Sequence, residues 1–172
     1  MPELKTNLNQ QHIAHSNKDK AAALAHTFFI PKPTDLITPQ VVNPPPELRS
    51  LTPYSKQRIS NKASRLKRNK APGPDGIPNK VWIVCVDTLI DPITDLFNGV
   101  MHLGYYPKAW KESTTIVLRK PRHPAYDIPK AYRPIALLNT LGKLLSGLIT
   151  DDISYLCEAN NLLMEQAYGG CP

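Results

Sequence analysis

Seven cations fall between Lys56 and Lys70: Lys56, Arg58, Lys62, Arg65, Lys67, Arg68 and Lys70. No acid lies between Glu47 and Asp75. Arginine forks onto phosphate oxygens and lysine meets them as a point charge. Carried on a helix, such a run can follow a phosphate backbone without reading sequence, which makes Lys62, Arg65, Lys67, Arg68 and Lys70 candidate nucleic-acid contacts. A solvated helix face is the plainer reading of the run taken alone. Two carboxylate groups could in principle hold a hard cation through oxygen. Asp87, Asp91 and Asp95 recur at i, i+4 and i+8, and Asp151 and Asp152 are adjacent. The first group lies opposite an apolar stripe and the second sits between Ile149 and Ile153, so both are expected to be solvated polar faces. Cys85, Cys157 and Cys171 are far apart, and no Cys/His set has zinc spacing. Neither a P-loop nor a GxGxxG is present.

The elements that would position these residues can be read along the chain. Ser16, with Asp19 three residues on, resembles a capping box and starts a helix over 17–29 that Pro31 and Pro33 stop. Residues 31–53 hold seven prolines and should be extended and exposed. Thr52 can cap the basic helix with Pro53 in its first turn, and Ile59, Ala63 and Leu66 form its narrow apolar stripe. "NKAPGPDGIPNK" (69–80) combines prolines that restrict φ, glycines that can take positive φ, and an aspartate that can close a turn on its own backbone. It reads as a rigid elbow. A helical pattern follows from Lys80 to Gly104, with Trp82, Val86, Leu89, Ile93, Leu96, Phe97, Val100 and Met101 on one face. Pro92 should kink or split it, with Asp91 capping the second part. "STTIVLRK" and "RPIALLN" are strand candidates joined by a basic, turn-forming stretch, and "TLGKLLSGLITDDISYLCEANNLL" returns to helical spacing.

The order helix, helix, helix, strand, strand, helix predicts an α+β chain, mostly helical with one β-hairpin, and argues against a doubly wound nucleotide fold. The 172 residues are 41% apolar and carry a net charge of +7, enough for a core and consistent with a polyanionic partner. The N-terminus is polar and no apolar run suits a membrane span, so an intracellular, reducing location is expected. Three parts are expected: a polar segment with a short helix over 1–30, a Pro-rich linker over 31–53, and the remainder over 54–172.

Three pieces in order, "RLKRNKAPGPDGIPNKV", "LFNGVMHLGYYPKAWKESTTIVLRKP" and "AYRPIALLNTLGKLL", closely resemble the front of the reverse transcriptase domain of LINE-type, non-LTR retrotransposons, with wording most like fungal elements. "DKAAALAHTFF" fits the segment that this family carries upstream of its polymerase. The resemblance implies a partial right-hand polymerase fold, comprising the fingers and the start of the palm, of an RNA-directed DNA polymerase. Its implied partners are an RNA template, a DNA primer and a dNTP. By the same resemblance Arg133 of "YRPI" would contact the nucleotide triphosphate, helped by Lys120 with Arg119 nearby. Cations on adjacent strands can converge on one triphosphate. Arg122 stands where the family usually has a turn glycine.

The family transfers nucleotidyl groups with two metal ions held by aspartates. The resemblance places those aspartates downstream of the region seen here as "QAYGGCP". Magnesium would therefore serve the full-length family, and none is expected to be held by this chain. On that expectation the chain is a truncated fragment with template- and nucleotide-contacting fingers but no catalytic carboxylates, inactive alone. The alternatives are a non-catalytic basic nucleic-acid-binding module and a non-functional retroelement remnant.

Overall fold

A computed structural model describes residues 2–5, 13–31 and 52–162. Most of the Pro-rich stretch and all of "QAYGGCP" lie outside the described residues. The chain is α+β, as its sequence predicts. In order come β1 (Leu4–Lys5), β2 (Ile13–Ala14), α1 (Asn17–Phe28), α2 (Lys56–Ser64), α3 (Asn79–Cys85), α4 (Ile90–Leu103), α5 (Lys108–Lys111), β3 (Ser113–Arg119), a 3-10 turn (Pro129–Ala131), β4 (Tyr132–Leu138) and α6 (Thr140–Ala159). The expected strand pair is present as a two-stranded sheet, β3 beside β4. A second ladder was not foreseen: β1 pairs antiparallel with β2, Leu4 opposite Ala14 and Lys5 opposite Ile13. Strands of two residues carry too little alternation to be read in advance.

Helix starts follow local hydrogen bonding. Ser16 caps α1 as expected: its Oγ accepts from the Asp19 N–H at 3.1 Å and donates to Asp19 Oδ2 at 2.6 Å. The expected cap of α2 is corrected. Ser55, not Thr52, takes the role, accepting from the Arg58 N–H at 3.3 Å. Asn98 explains the shift, since its side chain accepts from the Tyr54 N–H (2.7 Å) and donates to the Tyr54 carbonyl (3.0 Å), tying that backbone before the helix begins. The long pattern from Lys80 splits as expected, but three residues ahead of Pro92. Leu89 is the N-cap of α4, and Asp91 and Pro92 lie in its first turn. Pro92 fits there because first-turn N–H groups have no partner within the helix. Gly104 ends α4 in the left-handed region, φ 60°.

Two compact units emerge, each with its own core. The first draws its described residues from 2–31 and Thr115–Ala136, and the second from 52–114 and 137–162. In the first, Leu4, Ala14, Leu24, Ala131 and Tyr132 are buried together, with Phe28, Val117 and Tyr126 packed on them. In the second, Ile59 and Ala63 of α2 pack with Ile93, Phe97 and Val100 of α4 and with Leu144, Leu145 and Leu148 of α6. Trp110 joins them, edge-on to Phe97 with ring centroids 6.0 Å apart. Helix α6 approaches its neighbours at glycines. A Cβ on Gly142 would lie 3.0 Å from Trp110 Cβ, and one on Gly147 would lie 2.7 Å from Lys62 Cε.

Candidate functional site

In the first unit, the stretch between β3 and β4 is built around two tyrosines. The Lys120 N–H donates to the Ala131 carbonyl at 2.8 Å, closing the base of the connection. Tyr126 Oη donates to the Lys120 carbonyl and Tyr132 Oη donates to the Tyr126 carbonyl, both at 2.8 Å. Their rings meet edge-on with centroids 6.0 Å apart. Lys5 secures the same stretch twice, through its N–H to the Asp127 carbonyl (2.7 Å) and through Nζ to the Asp127 carboxylate (2.6 Å). That second contact holds the Asp127 carboxyl below its ordinary pKa. On this frame sit the three expected triphosphate contacts. Arg119 lies with its guanidinium 5.1 Å from the Tyr126 ring centre, a cation–π geometry. Arg133 is exposed one residue after the buried Tyr132, hence on the other face of β4, and Lys120 is half-buried. None of the three has a carboxylate partner among the described residues. Arg122 adopts φ 59° in the turn after β3, the conformation that a glycine accepts freely.

In the second unit the seven-cation run divides. Its helical half is neutralised: Lys56 pairs with Asp91, Arg58 with Asp152 and Lys62 with Asp151, each at 2.6 Å. Its second half lies beyond the helix, because α2 stops at Ser64. Arg65, Lys67, Arg68 and Lys70 are exposed there and have no ion-pair partner among the described residues. The expectation of one basic helix face is thereby corrected. Of the five candidate contacts only Lys62 rides the helix, Arg65 is its C-cap, and the other three follow in the turn.

Asp152 was expected on a solvated face and is instead mostly shielded, its side chain 15% exposed. Arg58 bonds its Oδ1 while lying over the Tyr54 ring, 5.2 Å from the centre. Burial, and then the Asp152 carboxylate, push the Tyr54 phenol up to about 12. Among the described residues neither Tyr54 Oη nor Asp152 Oδ2 has a partner in good hydrogen-bond geometry. Asp87, Asp91 and Asp95 do not act as a set: Asp91 takes Lys56 and Asp87 accepts from Ser60 Oγ at 3.3 Å. Among the described residues no three His, Cys, Asp or Glu side chains come together to hold a metal ion. The adjacent Asp151 and Asp152 are paired instead with Lys62 and Arg58.

The elbow is docked on the start of α6 through residues that sequence reasoning passed over. The Gly73 carbonyl accepts from the Gly76 N–H (3.0 Å), Asp75 Oδ1 accepts from the Ile77 N–H (3.0 Å), and Gly76 has φ 67°. Asn139 Oδ1 accepts from the Asp75 N–H at 3.2 Å while its Nδ2 donates to the Ala109 carbonyl at 3.0 Å. Buried Asn79 donates to the Lys67 carbonyl (2.9 Å) and accepts from Thr140 Oγ1 (2.8 Å). A Cβ at Gly73 would lie 2.5 Å from Asn139 N, so only glycine fits that crossing. The legible signal was an asparagine at each helix start, which suggests a cap; here both side chains bridge segments instead.

Compared with known proteins, the chain is similar to RNA-directed DNA polymerases of mobile elements. It is 33% identical over 99 residues to the RNA-directed DNA polymerase from mobile element jockey of Drosophila melanogaster, covering 58% of this chain and 11% of that protein. To the probable RNA-directed DNA polymerase from transposon X-element of the same species it is 33% identical over 119 residues, covering 69% and 13%. To the retrovirus-related Pol polyprotein from type-1 retrotransposable element R1 of Bradysia coprophila it is 32% identical over 91 residues, covering 53% and 9%. The chain thus spans about a tenth of the length of these relatives. They come from Drosophila and Bradysia, not from fungi, and do not support the expected fungal likeness. No protein-family model matches the chain. Among the described residues no helix is long and apolar enough to cross a membrane.

Proposed function

We propose that the chain is the fingers and early-palm portion of the reverse transcriptase of a non-LTR retrotransposon, with 54–172 forming that portion. The observation that carries this reading is the similarity to polymerases of jockey and X-element, over 99 and 119 residues. In this reading Arg133 and Lys120 meet the triphosphate of an incoming dNTP, and Arg119 supports them from its place on Tyr126. Their lack of carboxylate partners among the described residues leaves their charge available. The reaction belongs to the longer polymerase, whose metal-holding aspartates are supplied outside the described residues. Titrating the 15N-labelled chain with dATP should shift amides of 119–133, and Arg133→Ala should weaken the response about tenfold, as for a charge-assisted contact. Unmoved amides would remove the nucleotide role.

The unpaired stretch Arg65–Lys70 favours a second, compatible reading, a contact to the backbone of template or primer. RNA affinity should then fall steeply with salt, and the combined change Lys67→Ala, Arg68→Ala, Lys70→Ala should flatten the log–log salt slope by about 2–3, close to one phosphate per cation. An unchanged slope would reject it.

A further inference from the structure

Beside the ion pairs between α2 and α6 lies a small polar cleft of about 200 Å³, open to solvent and lined by Arg58, Asn61, Lys62, Arg65, Leu148 and Asp151. Positions 58, 61, 62 and 65 fall at i, i+3, i+4 and i+7, so one face of α2 together with its C-cap, Arg65, supplies all the donors. Their hydrogen-bonding capacity is only partly used. Asn61 Oδ1 accepts from Gln57 Nε2 at 2.9 Å, which leaves the Asn61 NH2 as a donor. Lys62 Nζ uses one of its three donors on Asp151, and Arg58 reaches Asp152 through one terminal nitrogen. The guanidinium of Arg65 has no partner among the described residues. Asp151 is the carboxylate in the wall, itself 52% exposed on its side chain. Three cations against Asp151 and the Asp152 behind Arg58 leave the cleft with one positive charge in excess.

The geometry points to an oxyanion seat: this cleft takes one phosphate group, with Arg58, Asn61, Lys62 and Arg65 donating to it and Asp151 as the resident competitor. A donor-rich wall repels cations and gives nothing to a neutral acceptor that water does not also give. A tetrahedral anion can accept from several directions at once, which suits four donors spaced along two turns. Lys62 is the exchangeable donor. Its arm passes close to Gly147, and its ion pair is partly solvated and so exchanges at little cost. The seat stands on α2 and α6 alone; only the source of the phosphate, a nucleic-acid backbone or a free phosphate, rests on the nucleic-acid reading above.

The test follows the Asn61 side-chain amide and the Arg65 Nε–H of the full chain by NMR during titration with potassium phosphate, against potassium chloride at equal ionic strength. A saturable response to phosphate alone is expected. Asp151→Asn should tighten binding about fivefold and Arg65→Ala should weaken it about fivefold, the scale of a partly exposed charge contact. Arg65 is exposed and outside the core, so its loss leaves the fold intact, as far-UV circular dichroism would verify. Equal responses to chloride and phosphate, or no change in either variant, would overturn the seat. Short single-stranded RNA displacing phosphate assigns the seat to a backbone phosphate, and phosphate binding without displacement assigns it to a free one. If neutralising Lys67, Arg68 and Lys70 leaves RNA binding unchanged while phosphate still binds, the nucleic-acid reading fails and the seat stands.

Discussion

At the scale of single residues, Arg122 and Tyr54 each hold a conformation or protonation state that their surroundings impose. Arg122 at φ 59° carries a Cβ where glycine would carry none. Replacing it by glycine should stabilise the chain by about 1 kcal/mol, the cost of a left-handed L-residue less the added freedom of glycine when unfolded. Urea unfolding of Arg122→Gly measures this, and an unchanged midpoint would deny the strain. Tyr54 is a pH-dependent case. Its folded pKa of about 12 exceeds its ordinary value of 10.0, so its neutral form favours the folded state. That contribution is fully present below pH 10 and is lost as pH rises towards about 12. The unfolding free energy of the wild type should therefore fall relative to that of Tyr54→Phe over that window. A difference independent of pH would show that Asp152 and burial do not act on the phenol as described.

At the scale of elements, start points are decided by which polar atoms are free. The sequence reading places the cap at Thr52; in the fold Ser55 caps the helix, and Asn98 holds the Tyr54 backbone just ahead of it. Ser55→Ala should cost about 1 kcal/mol of stability and Thr52→Ala close to none. Equal costs would mean that α2 begins earlier than described. The same logic governs α2 at its other end. The apolar stripe Ile59, Ala63 and Leu66 is continuous in sequence, yet the helix ends at Ser64 and Leu66 is only partly buried. Nothing in the local pattern marks the stop; just beyond it the Lys67 carbonyl is held by Asn79, twelve residues on.

At the scale of the molecule, each unit has its own core, and tryptophan marks the second. Trp82 and Trp110 belong to the second unit, while Tyr126 and Tyr132 belong to the first. Phe97 is fully buried against Trp110. Phe97→Ala should cost the second unit about 3–5 kcal/mol through lost transfer energy and the cavity left behind. Tryptophan fluorescence during urea unfolding would register that loss as an early transition, and an unshifted transition would contradict the core as described.

Much of this was written locally. The α1 capping box, the split near Pro92, the Gly104 stop, the α2 stripe and the two strands β3 and β4 taken singly depend on residues within a few positions of each other, and local sterics and hydrogen bonding suffice to predict them. The ordered motifs likewise carried the likeness to RNA-directed DNA polymerases. What only the tertiary structure decided is how polar groups distant in sequence are spent. Lys56, Arg58 and Lys62 look alike to Arg65 and Lys67 in the sequence, and differ because Asp91, Asp152 and Asp151 arrive from other helices. Asn79 and Asn139 look like caps, and become bridges because the elbow crosses the start of α6 at Gly73. Charge pairing and buried hydrogen bonding act through space, so their partners are set by how the helices pack and cannot be read from neighbours along the chain.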